Sequence, residues 1–214
     1  MKVTIDGQLA DITLPTESAS ELVNALMKHC AKDNRVVTAV NLDGTEIPLH
    51  NPEEAQGIDL NSAETVEVTS GTARDVAVNV LSSCADHIPH LIEGLGAAAG
   101  ALQKGQEAEG METIATALTF WLDISEGVAS GMKVLGLDFD SVELPSSEGE
   151  ETSQQRPSET VAKINSLLEE TQRALEENDT VEIGDLLDYD LPPLLRTYQG
   201  ALYRLAEKGA ESAA

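Results

Sequence analysis

The feature that most constrains this chain is a change in hydrophobic period just past Gly71. Before it, apolar and polar residues alternate in short runs, as in Glu64-Thr65-Val66-Glu67-Val68-Thr69, the two-residue period of a half-buried strand. From Arg74 onward apolar residues recur every three or four positions and few β-rich runs remain. The first period builds sheets and the second builds helices. The pattern therefore predicts an α+β chain in two parts, residues 1–72 and 73–214. With 214 residues, 41% of them hydrophobic, each part has the material for a core of its own.

In the first part Val3 and Ile5 alternate with Lys2, Thr4 and Asp6, and Asp6-Gly7 signals a tight turn. Leu9, Ile12 and Leu14 suit a returning strand closed by Pro15. Ser18 or Ser20 can cap a helix in which Leu22, Val23, Leu26, Met27 and Cys30 share a face. The β-branched run from Val36 to Leu42 ends at Asp43-Gly44, a second hairpin signal, with Ile47 and Leu49 beyond it. The predicted order is strand, strand, helix, strand, short strand, strand, with the first and last strands central and parallel. That order resembles the β-grasp, ubiquitin-like fold, over residues 1–72. Ubiquitin and the small sulfur carriers end in a Gly-Gly tail that is activated and conjugated. Here the matching position reads Ser70-Gly71-Thr72 and the chain continues, so the resemblance brings no conjugation or sulfur-carrier chemistry.

The helical part repeats itself at an offset of 73 residues. Leu91, Leu95, Leu102, Trp121, Leu122 and Met132 fall on Ile164, Leu168, Leu175, Leu194, Leu195 and Leu205. Gly105 falls on Asn178, and both residue types tolerate the left-handed conformation that ends a helix. Each copy reads as helix, short polar turn, helix: a hairpin over 74–135, a mobile crossover over 136–157, and a hairpin over 158–209. Four such helices bury their stripes as a bundle. In the second copy Ser158 after Pro157 suits a helix cap, and Asp179 with Glu182 resembles a capping box. Pro192-Pro193 interrupts the apolar face that runs from Ile183 to Leu205, because neither proline can donate a backbone hydrogen bond. A kink or restart is expected there, with the face preserved.

Charge narrows the partners. The formal net charge is −25, divided −8, −8 and −9 among residues 1–72, 73–144 and 145–214, so acidity belongs to the whole chain. A surface this negative repels phosphates, which excludes nucleic acid and anionic membranes as partners. Aromatics make up 3% and offer few stacking platforms. No window reaches 18 apolar residues, and the alternating start MKVTIDGQLADITLP lacks the apolar core of a signal peptide. Cys30 and Cys84 lie in no CxxC pattern and read as buried structural thiols, which fits a reducing cytoplasm.

Four motifs carry candidate chemistry, each with a plainer reading. Gly94-Leu-Gly96-Ala-Ala-Ala-Gly100 looks like a phosphate loop but lies inside a helical stretch, where Gly96, Ala97 and Gly100 suit close helix packing. Asp86-His87-Ile88-Pro89-His90 offers two imidazoles at i and i+3 beside a carboxylate, or a solvated helix start. Asp138-Phe-Asp140-Ser-Val-Glu143 resembles part of a calcium loop without its glycine and its final acid; alternatively Leu137 and Phe139 pin the crossover. Asp185, Asp188 and Asp190 form an acidic cluster spaced so that it can face water. There is no Ser-His-Asp or Cys-His arrangement, so the sequence predicts no enzyme, no resident metal and no cofactor.

What remains is a protein-interaction module: an adaptor, a scaffold or a chaperone-like binder of a protein partner. Long acidic helices and the run Asp185-Leu-Leu-Asp-Tyr-Asp-Leu191 are similar to bacterial flagellar export chaperones, which wrap partner helices. The internal duplication departs from that family. A helix kinked at the proline pair leaves a gap against a straight neighbour. The expected partner groove is therefore lined by Leu194, Leu195, Tyr198 and Leu202 with Trp121 and Leu122; the same positions also suit a shared core. The alternative function is a metal- or small-molecule-binding bundle using His87 and His90. The sequence leaves self-association open.

Overall fold

A computed structural model describes residues 1–15, 17–49, 51–52, 60, 62–144 and 156–211. It is α+β, a five-stranded mixed sheet followed by helices, and it divides into two compact units, Met1–Val76 and Ala77–Ala214.

The first unit runs β1 (Lys2–Ile5), β2 (Gln8–Leu9), α1 (Ala19–Ala31), β3 (Arg35–Leu42), β4 (Thr45–Glu46) and β5 (Thr65–Thr72). The sheet order is β2-β1-β5-β3-β4. β1 and β5 are parallel, with Val3 opposite Val66 and Ile5 opposite Val68, and the other pairs are antiparallel. Asp6 and Gly7 both take positive φ at the first turn, as do Asp43 and Gly44 at the second. Ser18 caps α1 by accepting from the Glu21 N–H. Leu22, Leu26 and Cys30 of that helix are buried with Val3, Val40 and Val66 of the sheet. The returning strand is shorter than the alternation suggests. It ends at Leu9, and Leu14 reaches the core from outside any strand.

One polar latch joins the three central strands. The Ser70 N–H and Oγ–H donate to the two Asp6 carboxylate oxygens at 2.8 and 2.7 Å. Arg35 donates to Asp6 at 2.9 Å, to the Ser70 hydroxyl at 2.8 Å and to the Ser70 carbonyl at 2.7 Å. The Ser70 backbone and hydroxyl donors, with Arg35 beside them, hold the Asp6 carboxyl below its ordinary range. A depressed folded-state pKa means the stabilisation is complete above the unfolded value, about 3.9, and is lost as pH falls through the folded value. We expect Asp6→Asn to destabilise the first unit by about 1 kcal/mol at pH 7, the pair being partly exposed to solvent. That difference should shrink in urea titrations as pH falls below the unfolded value; a difference equal at pH 7 and pH 2 would remove the latch as the cause.

The second unit takes in most of α2 (Ala73–Gln103), then α3 (Glu107–Leu135), a 3₁₀ turn at Phe139–Ser141, α4 (Pro157–Glu177), α5 (Thr180–Asp185) and α6 (Leu191–Glu211). Thr72 and Asp75 open α2 as a reciprocal cap: the Asp75 N–H donates to the Thr72 hydroxyl oxygen, and the Thr72 N–H to the Asp75 carboxylate. Gly105 and Asn178 both take positive φ at the two hairpin turns. Ser158 does not cap α4. It is the second helical residue, and its N–H and hydroxyl donate to Asp140, so the 3₁₀ segment supplies the cap. Phe139 packs 5.8 Å from the Tyr198 ring and Val142 is buried, so residues 136–144 of the expected crossover lie on the helices. Of the rest, 145–155 lie outside the described residues, and Arg156 and Pro157 open α4.

Heptad spacing governs burial. On α3 the buried residues are Gly110, Ile114, Ala117, Trp121, Ile124, Val128, Gly131 and Leu135, alternately four and three apart. The second hairpin repeats them 73 positions on at Ile183 and Leu187. Thereafter the offset is 74, at Leu191, Leu195, Tyr198, Leu202, Leu205 and Gly209. A π turn at Leu186–Asp190 absorbs the added residue, with the Leu191 N–H donating to the Leu186 carbonyl five residues back. Pro192 and Pro193 explain it: they cannot donate to the carbonyls four residues behind them, and their rings crowd those carbonyls. Widening the turn relieves the crowding and keeps the apolar face continuous. Trp121 therefore corresponds to Leu195 rather than Leu194, and exposed Leu122 corresponds to Arg196.

α2 continues through Pro89, so His87 and His90 lie within the helix and not at its start. The proline leaves the Ala85 carbonyl without its usual donor, and the Gln199 side-chain amide of α6 fills the place at 2.9 Å. Close helix approach occurs at glycines of α3. A Cβ on Gly110 would lie 2.7 Å from the Leu102 Cγ, and one on Gly131 3.2 Å from that of Leu81. Gly96, expected at such a contact, faces Asp188, and Gly100 has open space beside it.

Candidate functional site

The six residues expected to line one groove are divided by the fold. Trp121, Leu195, Tyr198 and Leu202 are buried in the core, Leu194 is half-buried, and Leu122 is 66% exposed. The Trp121 and Tyr198 rings lie 5.3 Å apart, in the tilted geometry aromatic pairs favour. Burial pushes the Tyr198 hydroxyl well above the ordinary tyrosine range, with the neighbouring Cys84 adding a smaller push in the same direction. With the face preserved through the π turn, Trp121 and Leu195 together line only a cavity of about 10 Å³ beside Leu191.

An open groove lies instead between α3 and α4, with a volume of about 450 Å³. Leu118, Trp121 and Leu122 line it from one side, and Leu168, Glu169 and Leu175 from the other. Trp121 reaches both the core and this groove. The helices present the leucines because positions 118 and 122 on α3, and 168 and 175 on α4, form a second apolar stripe beside the buried one. An adjoining hollow of about 370 Å³ shares Leu175 and is lined by Leu102, Met111 and Ile183. The signal for the groove was present in the sequence as Met111, Leu118 and Leu122, seven and four residues apart. It was masked there by the stronger core stripe one position away.

The other candidate motifs are placed as follows. His90 lines a separate hollow of about 490 Å³ with Thr113, Phe120 and Asp123. The His87 ring lies 6.2 Å from that of His90 and 5.6 Å from that of Phe120. Among the described residues no group of three or more His, Cys, Asp or Glu side chains is arranged to hold a metal ion. Asp138 accepts from the Asp140 N–H, and both carboxylate oxygens of Asp140 accept from Ser158. Those Ser158 donors hold the Asp140 carboxyl below its ordinary range. Asp185 and Asp190 are exposed, and Asp188 is half-buried facing Gly96. Cys30 and Cys84 are buried free thiols, both pushed up chiefly by burial, and the Cys84 thiol points at the Ile124 carbonyl at 3.7 Å. Among the described residues no helix is long and apolar enough to cross a membrane.

Comparison with known proteins bears on both parts of the chain. No curated protein and no solved structure matches it. The model of a family described as the TP0873 N-terminal domain matches residues 1–72. A second family model, described as a domain of unknown function (DUF8042), matches residues 79–201, more than half of the chain. By that match, which spans the groove and the helices that form it, the chain belongs to the DUF8042 family.

Proposed function

We propose that this chain is a non-enzymatic protein-interaction module, an adaptor, scaffold or chaperone-like binder working in the cytoplasm. The observation that carries the reading is the groove between α3 and α4, where Leu122 stands 66% exposed beside Leu118, Leu168 and Leu175. Concave apolar surface held between rigid helices is where a partner helix gains most by burial. The finer architecture belongs to the same proposal: a β-grasp-like domain over 1–72 and a duplicated four-helix bundle over 73–214. The order β2-β1-β5-β3-β4 with a parallel central pair supports the first, and the matching burial of α3 and α6 supports the second. Two buried thiols fit a reducing compartment.

The reading is tested by affinity capture from the native cell, comparing the wild-type chain with Leu122→Asp. Leu122 is exposed, so its replacement should move the melting temperature by less than about 1–2 °C, as surface substitutions do. Captured partners should be lost. Capture unchanged by the substitution would move the binding surface away from this groove, and a chain that captures nothing would remove the reading. A second reading, a metal- or small-molecule-binding bundle, draws on the hollow beside His90 and Asp123. Stoichiometric zinc or iron in protein purified without a histidine tag would favour it.

A further inference from the structure

We infer that the α3–α4 groove takes a basic amphipathic helix, an apolar stripe flanked by Lys or Arg. This inference rests on the protein-binding reading and adds the chemistry of the partner.

Three observations lead to it. The first is length. The two hollows that share Leu175 form a trough from Leu122 to Met111, and at about 1.5 Å per helical residue those eleven positions span roughly 16 Å, or three helical turns. Both ends are open, with Leu122 66% and Met111 47% exposed. A partner helix would place side chains there at i, i+4, i+7 and i+11. The second is the rim. Glu107 lines the adjoining hollow from α3, Glu169 lines the groove from α4, and Glu176 accepts from the groove-lining Gln172. All three are exposed, so carboxylates from both helices border the apolar floor. The third is the shortage of cations. α3 holds no Lys or Arg before Lys133, Arg173 of α4 is paired with Glu182 at 2.7 Å, and Lys163, the other cation of α4, lines neither hollow. Carboxylate rims around an apolar floor complement a helix with basic flanks, and they repel an acidic one. A second copy of this chain, itself at −25, is a poor occupant for the same reason.

Trp121 lines the trough and is the only tryptophan, so its emission reports on this site. The probes are three synthetic 18-residue peptides: a Leu/Lys amphipathic helix, the same helix with Lys replaced by Glu, and a scrambled Leu/Lys peptide of equal charge. All are titrated into the full chain at 150 mM salt, where the Debye length is about 8 Å and diffuse attraction is weakened. The Leu/Lys helix should change Trp121 emission and bind at least tenfold more tightly than either control. Leu122→Asp and Met111→Asp should each weaken it at least tenfold while leaving the melting temperature in place. The double exchange Glu169→Lys with Glu176→Lys should move the preference toward the Leu/Glu helix. Equal binding of the scrambled peptide, or binding indifferent to Leu122→Asp, would reduce the effect to bulk charge and overturn the inference. Tighter, Leu122-dependent binding of the Leu/Glu helix would overturn the basic partner while leaving the protein-binding reading intact. That reading falls separately, if native capture fails.

Discussion

Tyr198→Ala is expected to lower the unfolding free energy of the helical unit by about 3–5 kcal/mol, and Leu202→Ala by about 2–5 kcal/mol. Tyr198 is 3% exposed and Leu202 fully buried, and each follows the four-three spacing of α6. Losing the Tyr198 ring removes its contacts with Trp121 at 5.3 Å and Phe139 at 5.8 Å, and leaves a cavity that the close-packed core fills only in part. The loss of Phe139 packing should also loosen the 3₁₀ segment that caps α4 through Asp140. Urea unfolding followed by Trp121 emission checks this. The only tryptophan sits in the helical unit, so the transition reports that unit even if the two units unfold separately. A Tyr198→Ala chain that melts like the wild type would put the ring on the surface, as a groove lining, and would contradict its place in the core.

The second large effect concerns Gln199 and Pro89. Gln199→Ala leaves the carbonyl of buried Ala85 without a donor and should cost about 1–3 kcal/mol. Pro89→Ala restores an N–H four residues past Ala85 and should stabilise α2, because a proline inside a helix costs about 3 kcal/mol. The two changes are not independent. With alanine at 89 the backbone satisfies the carbonyl itself, so Gln199→Ala should then cost a few tenths of a kcal/mol, a coupling of about 1 kcal/mol or more. A double-mutant cycle by chemical denaturation measures it. Additive effects would mean that the cost of losing Gln199 does not come from the Ala85 carbonyl that Pro89 leaves open.

The same pair marks where sequence reasoning reaches its limit. Pro89 read along the chain breaks a helix, because the sequence shows a missing donor and cannot show a replacement 110 residues further on at Gln199. The proline pair at 192–193 gives the opposite case. The interruption and the preserved face were both legible, but the device was not. A π turn adds one residue to the spacing, and in a run as leucine-rich as Leu186-Leu187 followed by Leu191, Leu194 and Leu195, offsets of 73 and 74 both bring apolar residues into register. That single residue decides whether Trp121 pairs with Leu194 or Leu195. With it goes the choice between a groove and a core at Tyr198.

Sequence alone determined what depends on local period and local conformational preference. The change of period after Gly71 announced the α+β division. Asp6-Gly7 and Asp43-Gly44 set their turns through residues that accept positive φ, and Gly105 and Asn178 ended their helices for the same reason. Tertiary structure decided everything that depends on which of two adjacent apolar stripes meets a neighbour. Leu118, Leu122, Leu168 and Leu175 are as hydrophobic as the residues beside them, and their chemistry does not say that they line an open groove. Burial is settled by the packing of helices distant in sequence. Here glycines at 110 and 131 let α3 approach α2 on one side, while the stripe one position away is left toward α4 and the open groove.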